Sequence, residues 1–207
     1  MLRHLYRQPK SWLFLICLFP LLRLAYLGVS GGLGANPIEF ITRSTGTWTL
    51  VGLMITLSVT PLRRLTGRSE LVRYRRMLGL FTFFYVSLHF LTYIWLDQFF
   101  DPAAIVRDIW KRPFITVGFA AFVLLIPLAV TSTNAMMRRL GRRWQQLHRL
   151  VYGIALLGVV HYLWLVKKDI TEPLIYGAIL AVLLALRLPW SVSALQAMRV
   201  RRMPSRS

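Results

Sequence analysis

The chain has 207 residues, of which 56% are hydrophobic, and its mean hydropathy is +0.54. A soluble domain of this length has no core large enough to hide that much apolar surface, so a soluble fold is excluded. The 26 Lys and Arg against 7 Asp and Glu, a net charge of +19, would point to nucleic acid in a soluble protein; in a membrane protein topology accounts for it, and no nucleic-acid partner is expected.

The N-terminal MLRHLYRQPK leads into an apolar run with no clean small-residue cleavage site, and reads as a retained first helix rather than a signal peptide. Six apolar spans are predicted in chain order, approximately 11–29, 46–60, 77–100, 114–131, 147–166 and 173–190. Runs of this kind suit a hydrocarbon layer about 30 Å thick at 1.5 Å of rise per residue. They must be helical, because without water each backbone N–H and C=O needs a partner in its own segment. The second span is the shortest; Pro61 is expected to stop it, since proline cannot continue the backbone ladder. The connections are short and hold no soluble domain, repeat or low-complexity segment. The predicted fold is an all-α integral membrane protein, one six-helix bundle over residues 1–207 with antiparallel neighbours.

The loops orient the bundle. One side carries Arg3, Arg7 and Lys10, then Arg63, Arg64, Arg68, Arg73, Arg75 and Arg76, then Arg138, Arg139, Arg142, Arg143 and Arg149, and finally Arg199, Arg201, Arg202 and Arg206, opposed only by Glu70. The other side mixes Arg43, Arg107, Lys111, Arg112, Lys167 and Lys168 with Glu39, Asp97, Asp101, Asp108, Asp169 and Glu172. This bias predicts both termini in the cytoplasm of a cell whose inner membrane the chain crosses several times.

Three of the four histidines, His89, His148 and His161, lie in or at the mouth of a span, whereas His4 lies in the polar N-terminus. Ionisable side chains in hydrocarbon are costly and point to function, and imidazole is a common axial ligand of haem iron. His89 is 12 residues beyond Met77 and His161 is 14 beyond Leu147, on two spans that run outward. At helical rise they lie about 18 and 21 Å from the inner boundary, close enough to share a b-type haem near the outer leaflet. The alternative is that each histidine hydrogen-bonds across the bundle as polar glue. His148 is about 20 Å nearer the cytoplasm and cannot share an iron with His161. On a straight helix the two also point about 140° apart, unless a π-bulge near Gly153 or Gly158 turns the fifth span. The single cysteine, Cys17, and the absence of CxxCH or CxxC exclude covalent haem attachment and an iron–sulfur site.

The segments GLGANPIEFITRSTGTW, VTPLRR, YRRMLGLFTFFYVSLHFLTYIWLD and QLHRLVY, with the later His161, resemble the MsrQ (YedZ) family. These are haem-binding membrane subunits of bacterial periplasmic methionine sulfoxide reductase systems, within the ferric reductase-like transmembrane group. The resemblance covers most of the chain. It implies haem b, FMN, and electron delivery to a periplasmic molybdopterin reductase, MsrP, in a heterodimer that repairs oxidised periplasmic proteins. It implies electrons from the quinone pool or a cytosolic flavin reductase. The family's haem histidines carry over onto His89, His148 and His161. Relatives in the wider group hold two stacked haems with two histidines on each of helices three and five. Here Arg75 and Arg76 stand 14 and 13 residues before His89, where the second histidine would be. An arginine there could pair with a haem propionate by charge-assisted hydrogen bonds, and the count of haems, one or two, stays open.

Arg23 in the first span is either a propionate contact or a snorkelling side chain. The cytoplasmic arginines suit an FMN phosphate, a quinone headgroup or a soluble donor, or simply anionic lipid. No glycine-rich nucleotide motif places FMN, so no residue is assigned to it. The loop GGLGANPIEF is turn-forming and either packs over the outer haem, docks the periplasmic partner or is only a compact turn. Trp48, Tyr93, Trp95, Trp110, Tyr162 and Trp164 suit an aromatic belt more than an electron route. No nucleophile or acid–base constellation is present, so no catalytic residue is assigned and substrate chemistry falls to a partner. Two rival readings are a stand-alone ferric or quinone reductase, and a non-redox small transporter or membrane scaffold.

Overall fold

The computed structural model describes residues 8–187. The expectations resting on Arg3, His4, Arg7, the end of the sixth span to Trp190 and the C-terminal arginines lie outside them. The described residues form nine α-helices and no strand: α1 Gln8–Val29, α2 Pro37–Thr66, α3 Val72–Thr92, α4 Pro102–Lys111, α5 Pro113–Val130, α6 Asn134–Leu140, α7 Arg142–His148, α8 Leu150–Leu165 and α9 Thr171–Ala185. Five stretches are long and apolar enough to cross a membrane, and α9 is a shorter apolar helix. The protein is a multi-pass, all-helical membrane protein.

α2 is its centre, packing along α3 and also meeting α8, α9 and α1. The core joins Leu50, Leu53, Met54 and Leu57 of α2 with Val86 of α3, Leu125 of α5, Ile154 and Ala155 of α8 and Leu180 of α9. α1 is peripheral, touching α2 and α3 while Trp12, Ile16, Phe19 and Tyr26 face outward. In lipid that apolar exposure costs nothing, because acyl chains are as apolar as the side chains they cover. One polar device ties α1 down: the Tyr85 hydroxyl donates to the Cys17 carbonyl (2.7 Å) and accepts from the Leu21 N–H (3.3 Å).

Two expectations are corrected in α2. It starts at Pro37, not near residue 46, because Asn36-Pro37 is a helix start: the Asn36 side chain accepts the Glu39 N–H and proline occupies the first turn. It also runs through Pro61 to Thr66. Proline leaves the Leu57 carbonyl without its helical donor. The Arg187 guanidinium, just beyond α9, donates to that oxygen, so the helix continues.

The helical distortions are also placed differently. α8 is regular past Gly153 and Gly158, and no π-bulge is found there. The turn between α7 and α8 instead tightens at Arg149, whose N–H reaches Gln146 O (3.2 Å). The π-helical turn lies at Tyr93–Asp97, at the end of the third span. Helices α4 and α6, and α7 up to the start of the fifth span at Leu147, fall in segments read as plain connections. Asp101 caps α4 by accepting from Ala103 and Ala104, and Thr133 caps α6 by accepting from Met136.

Candidate functional site

His89 sits on α3 and His161 on α8, and the fold brings their rings together, with centroids 6.2 Å apart and planes at 79°. Two imidazoles bound to one metal through nitrogen, with bonds of about 2 Å as in other metal–histidine sites, have ring centres about 6 Å apart. The observed spacing is that of two imidazoles able to share one metal. Among the described residues no three of His, Cys, Asp or Glu converge on a common point, so a site built only from side-chain ligands is not formed there.

Each ring is held the same way. His89 Nδ1 lies 3.0 Å from the Thr42 carbonyl of α2, and His161 Nδ1 lies 2.6 Å from the Phe114 carbonyl of α5. A carbonyl only accepts, so Nδ1 carries the proton and Nε2 keeps its lone pair. A carbonyl accepting from the far ring nitrogen orients a metal-binding histidine and raises its basicity. Thr45 reinforces the first anchor, its hydroxyl donating to Ile41 O and lying 3.4 Å from His89 Nδ1.

Glycines make room for both rings. A Cβ on Gly46 would stand 3.1 Å from His89 Cε1, and one on Gly118 would stand 2.6 Å from His161 Nδ1. Both glycines lie one helical turn beyond the anchoring carbonyl. Both histidines lie 47 residues beyond that carbonyl and 43 beyond the glycine. The pair α2–α3 and the pair α5–α8 thus repeat one local design, in a chain whose sequence shows no repeat. Sequence reasoning missed Thr42, Gly46, Phe114 and Gly118; the common offset from glycine to histidine was the available signal.

His148 ends α7, far from this pair. Its ring stacks on Trp144 with centroids 3.9 Å apart, and its Nδ1 lies 3.0 Å from the Trp144 carbonyl. The Trp144 indole N–H in turn donates to Thr131 O (2.9 Å). His148 Nε2 is buried and meets no hydrogen-bond geometry, with the Leu128 backbone also against the ring; a buried nitrogen in that state suits a water, an ion or a ligand. On α3, at matching depth, Arg76 is engaged with Asn134 (2.6 Å) and Met137, while half-buried Arg75 has no hydrogen bond or ion pair among the described residues.

The two ends differ in charge. Both ion pairs found among the described residues, Arg43–Glu39 (2.8 Å) and Arg112–Asp108 (3.1 Å), lie at the end that carries His89 and His161. There Tyr93 donates to Asp108 and Tyr162 to Glu172, while Trp95, Trp110 and Trp164 are exposed as a belt requires. Just beyond α8, Asp169 is held below the usual carboxylate range by hydrogen bonds from the Thr171 side chain and N–H. Arg23 is exposed on α1 and makes no hydrogen bond or ion pair among the described residues, which agrees with snorkelling.

Comparison with known proteins matches residues 42–159 to the ferric reductase like transmembrane component family. Curated relatives called protein-methionine-sulfoxide reductase heme-binding subunit MsrQ are similar over nearly the whole chain. The protein from Ralstonia nicotianae is 64% identical over 187 residues, covering 89% of this chain and 86% of its own. That from Herminiimonas arsenicoxydans is 60% identical, covering 88% and 85%. That from Rhodospirillum rubrum is 56% identical over 200 residues, covering 96% and 95%. No solved structure matches. The paired histidines, their carbonyl anchors and this similarity agree, and the chain belongs to the MsrQ family of ferric reductase-like transmembrane proteins.

Proposed function

We propose that the protein is the haem b electron-transfer subunit of a methionine sulfoxide reductase system, in which His89 and His161 would hold the iron of one haem. The observation that carries this reading is the pair of rings 6.2 Å apart, each with Nδ1 on a backbone carbonyl and Nε2 left for iron. The haem would supply one-electron chemistry. The chain's own residues do the positioning. Thr42 and Phe114 fix the tautomers, Gly46 and Gly118 admit the rings, and the apolar bundle keeps water away, the lever by which burial tunes a haem potential.

A second haem is proposed on His148, whose Nε2 meets no hydrogen-bond geometry; half-buried Arg75 would pair with its propionate. The Lys/Arg bias supports an inner-membrane bundle of six spans with cytoplasmic termini. In that orientation His148 faces the donor, a quinol or a cytosolic flavin reductase, and the His89–His161 pair faces periplasmic MsrP in a heterodimer that repairs oxidised proteins. FMN stays part of the reading with no residue assigned.

The test is the optical spectrum and haem content of the purified protein. His89→Ala and His161→Ala should each abolish haem binding at the paired site, and His148→Ala should remove only the second haem. A colourless, folded wild-type preparation from haem-sufficient cells, or full haem retention in His89→Ala, overturns the reading.

A further inference from the structure

The helix α4, Pro102–Lys111, lies between two spans and belongs to neither. It follows the π-helical turn that ends the third span at Asp97, and Pro113 opens α5 directly after it. Its level is therefore that of the bilayer boundary, at the end that carries His89 and His161. At 100° per residue, Ile105, Ile109, Val106, Trp110 and Ala103 form one continuous apolar arc, and Arg107, Lys111 and Asp108 form the polar remainder.

The structure divides that apolar arc in two. Ile105 and Ile109 are partly covered where α4 packs on α5, and the Ile109 carbonyl accepts the Thr116 hydroxyl. Val106 is 67% exposed and Trp110 87% exposed. The exposed half adjoins the side packed on α5, and the described residues leave it uncovered. Asp108 turns to Arg112 (3.1 Å), Gln98 (3.2 Å) and Tyr93 (3.4 Å), while Arg107 and Lys111 stay exposed. Just before the helix, Phe99 and Phe100 adopt φ of 50° and 59° and are also exposed, a left-handed backbone that bulky residues rarely take.

We propose that α4 is an interfacial helix lying in the headgroup layer, with Val106 and Trp110 seated in phospholipid acyl chains and Arg107 and Lys111 at the phosphates. Amphipathic helices with aromatic and basic residues so arranged bind membranes in the interface plane, and basic side chains there gain from lipid phosphate. The protein surface beside α4 supplies the rest of the seat, because α4 is already pinned to the first turn of α5.

The experiment uses the full chain in nanodiscs of phosphatidylethanolamine and phosphatidylglycerol. Nitroxides at Val106→Cys, Trp110→Cys and Arg107→Cys, in a Cys17→Ser background, are read by power saturation against oxygen and a water-soluble nickel chelate. Positions 106 and 110 should be saturated by oxygen and shielded from nickel, and position 107 should show the reverse. A second measurement avoids the cysteine background: the emission lost on Trp110→Phe should be quenched by lipids brominated in the upper acyl chain. Nickel access at 106 and 110 with no bromine quenching overturns the proposal. Shielding that appears only when a soluble periplasmic protein is added also overturns it, and makes the patch a protein-docking surface.

Discussion

The two ends of the bundle hold histidines in different ways. At the end with mixed charge, His89 and His161 come from different helices, each anchored to a carbonyl on a third and a fourth helix and each lodged against a glycine. At the arginine-rich end His148 is held mainly by Trp144, through a stack and a backbone hydrogen bond four residues away, with the Leu128 backbone also against its ring. The first arrangement is tertiary and duplicated; the second is local and single. Ring geometry at the pair depends on the packing of four helices, whereas His148 takes its aim from the Trp144 ring and one turn of α7.

The largest effect that would sharpen this contrast is at Gly118. Gly118→Ala puts a methyl 2.6 Å from His161 Nδ1 with backbone anchors on both sides, and overpacking of that kind costs about 1–3 kcal/mol. Haem content at the paired site should fall steeply with His148-linked absorbance intact. Gly46→Ala, at 3.1 Å, should act in the same direction and less. Equal loss at both haems in either variant would break the separation between the ends.

Next comes Trp144→Leu, which removes the stack and the indole tie to Thr131 but keeps the carbonyl that takes His148 Nδ1. Loss of such supporting contacts typically lowers metal-site affinity about 10–100-fold. Haem titration should show that loss for the His148 site only, with a shift in its midpoint potential; an unchanged His148 site would show that Trp144 does not position the ring.

Smallest is Arg187→Met, which strands the Leu57 carbonyl opened by Pro61. An unsatisfied buried group costs about 1–3 kcal/mol, so thermal stability in detergent should drop while the haem spectrum of the folded protein is unchanged. Pro61→Ala should offset much of the loss by restoring the helical donor, an outcome a simple charge effect of Arg187 would not give.

Much of the fold was legible. The apolar runs marked the spans, and helical rise matched His89 to His161 in depth. The errors differ in cause. α2 was cut at Pro61 because the remedy, Arg187, lies 130 residues away in sequence. Its start was missed because Asn36-Pro37 was read as turn punctuation alone, although the same pair caps a helix. The distortion considered at Gly153 or Gly158 was argued from the roughly 140° between His148 and His161 on a straight helix, and the helix is regular there. Gly158 instead admits Leu50, whose Cδ2 would lie 3.2 Å from an added Cβ.

The sequence by itself determined that this chain is a helical membrane protein with histidines at two depths, because hydropathy, charge bias and helical rise are local properties that add along the chain. Only the tertiary structure decided which nitrogen of each imidazole is free. That depends on carbonyls 47 residues upstream of His89 and His161, and on glycines whose value is the space they leave for a ring on another helix. Such contacts exist only when helices pack, so no local pattern encodes them.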